Sequence, residues 1–155
     1  RDSMNEETAV RAPGVNLGLL LFIPYRALEN RVLEVLREDG FDDLSLAQAR
    51  VFQRLHPEGS RITDLAVAAQ ITKQTAGFLV DGLERAGYVM RAPDPRDARA
   101  KLVQITERGR RAVEAAARVV ADVEAEWAVH LGARRTAQLR EILTDLREIT
   151  DLRNR

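Results

Sequence analysis

Ile62-Thr63-Asp64-Leu65-Ala66, then Ile71-Thr72-Lys73-Gln74-Thr75-Ala76-Gly77-Phe78-Leu79-Val80-Asp81-Gly82-Leu83-Glu84-Arg85-Ala86-Gly87-Tyr88-Val89, then Asp94-Pro95-Arg96-Asp97-Ala98-Arg99-Ala100-Lys101-Leu102-Val103-Gln104-Ile105-Thr106-Glu107, is the stretch that decides the fold. It reads as two short helices joined by a turn and followed by a β-hairpin. The first helix is expected to open at Thr63, whose hydroxyl can accept a bond from a free N–H of the first turn. Ile62, Leu65, Ala66 and Ala69 share one side. Thr72 is the expected N-cap of the second helix. Ala76, Leu79, Val80 and Leu83 recur at i, i+3, i+4, i+7 and give it a buried stripe. Gly87 ends it, because glycine tolerates the left-handed conformation that follows a helix.

The opposite face of the second helix carries Lys73, Gln74, Thr75, Gly77 and Phe78 near its N-terminus. A helix placed in the DNA major groove presents base edges with side chains from this end. Gln74 can bond an adenine bidentately, a lysine can bond guanine, and Phe78 or a threonine methyl can touch a thymine methyl. Gly77 is a poor helix-interior residue. It either lets DNA approach a bare backbone or packs against a neighbour. Tyr88 to Ala92 and Lys101 to Ile105 read as the strands of the hairpin. Residues 93–99 between them are turn-forming and charged, and Arg96 and Arg99 suit a narrow groove of high negative potential.

This stretch resembles the winged helix–turn–helix of MarR-family transcription regulators. The resemblance rests on Asp97-x-Arg99 followed by Leu102-Val103-x-Ile105-Thr106-Glu107-x-Gly109, and the order of the outer helices fits as well. It implies that Arg99 is the wing-tip residue entering the minor groove and that Asp97 orients it. The helix after Thr72 would be the recognition helix. With Thr63 and Lys101, these residues make up the expected DNA-binding set. The implied fold is mainly α with a small β-hairpin wing: a winged helix–turn–helix lobe plus long N- and C-terminal dimerisation helices. One domain spans residues 1–155, with dimerisation helices at about 16–40 and 112–152 and the DNA-binding lobe at about 41–111.

The composition admits this reading once it is divided along the chain. The 155 residues carry 24 basic and 24 acidic groups. Residues 61–111 hold ten basic and six acidic side chains, so the positive charge is concentrated in the motif. There is no cysteine, which excludes disulfides and thiol redox sensing within these residues. No apolar run is long enough to span a bilayer and no secretory signal is visible, so a cytoplasmic protein with no membrane partner is expected. Residues 1–13 read as a loose polar tail, and Met4 as the natural start.

A long apolar helix is expected from about Asn16 to Asp39, with Pro24 kinking or splitting it. Ser45 and Gln48 form a capping-box pattern that opens a short helix through Leu55. Thr106 caps a long helix carrying Val113, Ala116, Val120, Val123 and Trp127; Gly132 breaks it. The last helix has Leu139, Ile142, Leu143, Leu146 and Ile149 on one face. The outer helices are too apolar to bury themselves within one chain, and a two-fold dimer is the economical solution.

No catalytic site is expected. His56 and His130 lack metal-ligand spacing, neither Ser45 nor Ser60 stands in a pattern that suggests an activated nucleophile, and no phosphate-binding glycine loop is present. No metal or cofactor is predicted. Trp127 is core, or the wall of a ligand cavity. The family resemblance implies a small aromatic or lipophilic effector held between the dimer helices and the DNA-binding lobe. Carried over by region, Phe22, Tyr25, Arg26, Phe52, Arg110 and Arg111 would line that crevice, with Arg26 or Arg111 pairing a carboxylate. The resulting expectation is a homodimeric, sequence-specific DNA-binding regulator, a ligand-responsive repressor reading a pseudo-palindromic operator in double-stranded DNA. The alternative is a winged-helix dimer serving as a protein-interaction scaffold without specific DNA binding.

Overall fold

The computed structural model describes residues 14–154; the expectations of a polar tail over residues 1–13 and of a start at Met4 lie outside the described residues. In chain order the elements are α1 (Leu17–Glu38), α2 (Leu46–Phe52), α3 (Ile62–Ala69), α4 (Lys73–Arg85), β1 (Val89–Asp94), β2 (Asp97–Ile105), α5 (Glu107–Leu131), α6 (Ala133–Thr150) and a short 3-10 turn η1 (Leu152–Asn154). The fold class is as expected: mainly helical, with one antiparallel hairpin.

Local sequence signals set most helix starts. The Asn16 side chain accepts the Leu19 N–H at 2.8 Å and begins α1. At α2 the capping box is complete: Gln48 N–H donates to Ser45 Oγ, and Ser45 N–H donates to Gln48 Oε1. Thr72 caps α4 and Thr106 caps α5. Two expectations need correction. The helix α3 opens at Ile62, with Arg61 rather than Thr63 at the N-cap and no side-chain cap bond. Arg61 is held elsewhere, by an ion pair described below. The helix α2 ends at Phe52, three residues early, because the next amides turn back in tighter i→i+3 bonds, Arg54 to Val51 and Leu55 to Phe52. Of the two outcomes expected at Pro24, splitting does not occur: α1 runs on as one element of 22 residues.

The core forms where α1, α2, α4, α5 and the hairpin converge. Leu36, Val51, Phe52, Leu65, Val80, Leu83, Tyr88, Val89 and Val103 are buried together. Tyr88 lies at its centre with no solvent exposure. Its hydroxyl donates to Asp43, and the Arg108 guanidinium stacks on its ring, 4.3 Å from the centroid. The motif Thr106-Glu107-x-Gly109 acquires a physical reason here. A Cβ at Gly109 would stand 2.2 Å from the Tyr88 carbonyl oxygen and 2.9 Å from Ile105 Cγ2. Thr106 Oγ1 donates to the Gly87 carbonyl at 2.6 Å and accepts the Gly109 N–H at 3.1 Å. Together these residues join the first turn of α5 to the end of α4.

By contrast, α6 has no buried residue between its ends. Leu139, Ile142, Leu143 and Leu146 face outward, as do Leu17, Leu20, Phe22 and Ile23 at the start of α1. None of the helices among the described residues is long and apolar enough to cross a membrane.

Candidate nucleic-acid interface

The turn between α3 and α4 sets the angle of the helix pair. Gln70 caps α3 with φ +57°, a left-handed conformation uncommon for a residue with a side chain. The chain then re-enters helix at Thr72. Thr72 Oγ1 accepts the Thr75 N–H at 3.1 Å and donates to Thr75 Oγ1 at 2.8 Å. The hydroxyls of Thr72 and Thr75 are therefore engaged with each other. Ala76, Val80 and Leu83 are buried, while Lys73, Gln74, Thr75 and Phe78 are exposed. Phe78 is 71% exposed, an aromatic ring held against water beside a lysine and an amide. No atom lies within 4 Å of the position a Gly77 Cβ would take, so the surface here is open and Gly77 packs on no neighbour. Thr63 is exposed in the first turn of α3.

The wing is longer and tighter than the sequence suggests. Its strands extend to Asp94 and from Asp97, so the connection is Pro95-Arg96 alone rather than residues 93–99, and Tyr88 precedes the first strand. The reason is Asp94. Its carboxylate, almost fully buried, accepts the Arg96 N–H at 2.9 Å, which closes the turn, while Pro95 presets the backbone between them. The same carboxylate accepts from Arg61 at 2.8 Å. These bonds hold the Asp94 carboxyl below the usual carboxylate range despite its burial, the Arg96 amide contributing most and Arg61 next.

Pairing is regular from Val89↔Ile105 to Pro93↔Lys101, then shifts to Asp94↔Asp97. Residues 98–100 bulge from the ladder, and Arg99 stands on that bulge with its side chain 95% exposed. Asp97 Oδ1 accepts the Arg99 N–H at 3.1 Å and lies 3.6 Å from its guanidinium. Arg96 is exposed at the turn, and Lys101 is exposed on β2. At the base of the wing, Arg91 donates to Asp81 at 2.7 Å and to Glu84 at 2.8 Å, tying β1 to the back of α4. The residues expected to meet DNA, Thr63 on α3 apart, thus lie at the start of α4 and on the wing, and these two are braced against each other. The braces, Arg61–Asp94 and Arg91 with Asp81 and Glu84, escaped the sequence reading. Only the Asp94-Pro95 pair, a turn signal, hinted at the first.

A second feature lies behind the helix pair. A cavity of about 600 Å³ opens between α1, α2 and α5, lined mainly by apolar side chains including Leu28, Val32, Phe52, Val113 and Ala116. Of the residues expected at an effector crevice, Tyr25, Phe52 and Arg110 line it; Phe22, Arg26 and Arg111 do not. Arg26 is drawn to Glu29 at 3.0 Å, Arg111 is exposed, and Phe22 is on the exposed start of α1. Trp127 lines no part of it. Glu29 at its edge is held at about 2, first by hydrogen bonds from Arg50 at 2.8 and 2.9 Å. Among the described residues no group of histidine and acidic side chains is arranged to hold a metal ion.

Comparison with known proteins places this geometry. Residues 42–100, from the loop before α2 to the wing bulge, match the model of the MarR family. The chain is 31% identical over 114 residues to YkoM of Bacillus subtilis, an uncharacterised HTH-type transcriptional regulator, covering 70% of this chain and 68% of YkoM. Among solved structures it is similar to CouR of Rhodococcus jostii RHA1 bound to p-coumaroyl-CoA, at 26% identity and a TM-score of 0.67, covering 86% of this chain and 91% of CouR. A MarR transcriptional regulator of Methanosarcina mazei Go1 shares the fold at 20% identity and a TM-score of 0.72, with 86% of this chain and 94% of that one covered. The exposed N-terminal face of α4, the braced wing and these likenesses agree: the chain belongs to the MarR family of transcriptional regulators.

Proposed function

We propose that the chain acts as a homodimer that reads a pseudo-palindromic operator and represses transcription until a small aromatic or lipophilic effector releases it. One observation carries the DNA reading: Lys73, Gln74 and Phe78 project from the start of α4 while Arg96 and Arg99 project from the wing of the same lobe. In this reading α4 enters the major groove, where Gln74 and Lys73 read base edges and Phe78 touches a thymine methyl. Arg99 enters the minor groove, oriented by Asp97. Residues 41–111 act as the DNA-binding lobe; helices at about 16–40 and 112–152 pair across a two-fold axis. Two lobes so related would meet half-sites about 34–36 Å apart. The apolar cavity supports an effector site, since it has the size and lining typical of a site for small molecules. CouR, which this chain resembles, is described with p-coumaroyl-CoA bound.

The test is a fluorescence-anisotropy titration onto DNA from upstream of the protein's own coding region, against a scrambled duplex of equal length, at two salt concentrations. Tight, sequence-dependent binding of one dimer per site is expected. Equal, weak and wholly salt-controlled binding to both duplexes would reject an operator at that place and favour a scaffold that binds other proteins.

A further inference from the structure

Arg61 stands where α3 would take a capping residue. Its backbone has the extended conformation of an N-cap, φ −71° and ψ 150°, yet its side chain makes no cap bond. It reaches to the wing instead. Nε donates to Asp94 Oδ2 at 2.8 Å, and Nη2 lies 2.8 Å from the same oxygen. The other oxygen, Oδ1, accepts the Arg96 N–H at 2.9 Å and lies 3.5 Å from Arg96 Nε. One carboxylate, its side chain wholly buried, thus ties the start of α3 to the turn of the wing. The residue before Arg61 makes a second tie, at the root of the wing. Ser60 N–H donates to the Val103 carbonyl at 3.0 Å, and Val103 N–H donates back to the Ser60 carbonyl at 2.8 Å.

These ties lead to Arg99. Asp94 pairs with Asp97 across the turn, and the Asp97 carboxylate accepts the Arg99 N–H. Arg99 is almost wholly in water, so its place is set by the backbone beneath it and not by packing of its side chain. A hairpin of two strands is marginal by itself. The Ser60–Val103 bridge and the Arg91 pairs hold this one at its root. Arg61 holds it near its tip.

We propose that Arg61 is a positioning residue for the DNA interface: through Asp94 it fixes the tip of the wing against α3 and so sets the distance between Arg99 and the exposed start of α4. The proposal rests on the reading of Arg99 as the residue that enters the minor groove. Arg61 then contributes to DNA binding without touching DNA. The start of α3 goes without a side-chain cap, and the wing has a fixed tip. A wing placed in advance loses less freedom on binding, which raises affinity. Without Arg61 the buried carboxylate is short of a charged partner, which is costly, so the turn opens to water and Arg99 leaves its place.

The test is a pair of double-mutant cycles read by fluorescence anisotropy, with the full chain and a duplex that the wild type selects from a random pool. Arg61→Ser puts a capping residue where the backbone already suits one, so α3 keeps a satisfied start. Asp94→Asn leaves one acceptor oxygen, which can close the turn or hold Arg61 but not both. Each should weaken binding by roughly three- to tenfold. In an Arg99→Ala background neither should weaken it further, because the residue they place is gone. The proposal is overturned if both variants bind as the wild type does while Arg99→Ala binds more weakly. It is also overturned if their full effect persists in the Arg99→Ala background, since the pair would then act through α4, through the fold or through a contact of Arg61 with DNA. An Arg99→Ala variant of wild-type affinity, or a pool that yields no duplex, fails at an earlier step: it rejects the reading of the site, and this proposal with it.

Discussion

Arg99 has a neighbouring carboxylate and yet is almost wholly in water, so its charge is available to a partner. Its ion pair with Asp97 is of the exposed kind that contributes little to stability. Arg99→Ala should therefore leave the thermal midpoint unchanged, weaken operator binding and lower the slope of log affinity against log salt by about 1. Anisotropy titrations at several salt concentrations measure this, and an unchanged affinity and slope would remove Arg99 from the interface. Glu29 is the opposite kind of residue, a carboxylate enclosed by Arg50 and Arg26. Its folded value of about 2 lies below its ordinary 4.5, so the pairing stabilises the fold above about pH 4.5 and is lost as pH falls from there toward about 2. In urea titrations, Glu29→Gln should destabilise the protein at pH 7 and much less at pH 3. An equal gap at both pH values would mean that the Glu29 charge does not carry the effect.

At the scale of elements, α4 has a glycine where its own stability would favour alanine. Gly77→Ala introduces a methyl into open space and removes backbone freedom from the unfolded chain. It should stabilise the fold by about 0.5–1 kcal/mol and still weaken DNA binding, because the methyl stands on the face proposed to meet the groove. A gain in melting temperature with undiminished operator affinity would show that no backbone approaches there. Elements were also where sequence reading succeeded or failed for visible reasons. The caps at Ser45, Thr72 and Thr106 involve residues at most three apart, so the bonds that begin these helices are legible in the sequence. The wing turn was misjudged because the group that organises it, Asp94, is stabilised by Arg61, 33 residues earlier in the chain. Arg61 accordingly takes the N-cap position of α3 without serving as a side-chain cap, and the start shifts from Thr63 to Ile62.

For the whole molecule, the outward apolar residues of α6 and of the start of α1 are the largest unsolved expense of a single chain. Ile142 is 62% exposed on a helix that buries nothing of its own. If these faces pair across a two-fold axis, Ile142→Glu should convert the protein to monomer, seen by size-exclusion chromatography with light scattering. Operator affinity should then fall by about a hundredfold or more, since two half-sites are no longer engaged together. A variant that remains dimeric with unchanged affinity would place the interface elsewhere.

The order of the helices, the hairpin, the family and the exposed face of α4 were legible in the residues alone. All of these follow from periodicity, caps and a motif, which are relations between residues close in the chain. Folding was needed to reveal the braces of the wing, the close approach at Gly109, and the pair of cavities that share Tyr25, Arg50 and Gln53. It also decided that Asp151 would stand between Arg54 and Arg147, although Arg54 lies 97 residues away. Such contacts depend on how helices with independent starts and stops are packed against one another. A carboxylate near the end of the chain gives no local sign of which arginines it will meet.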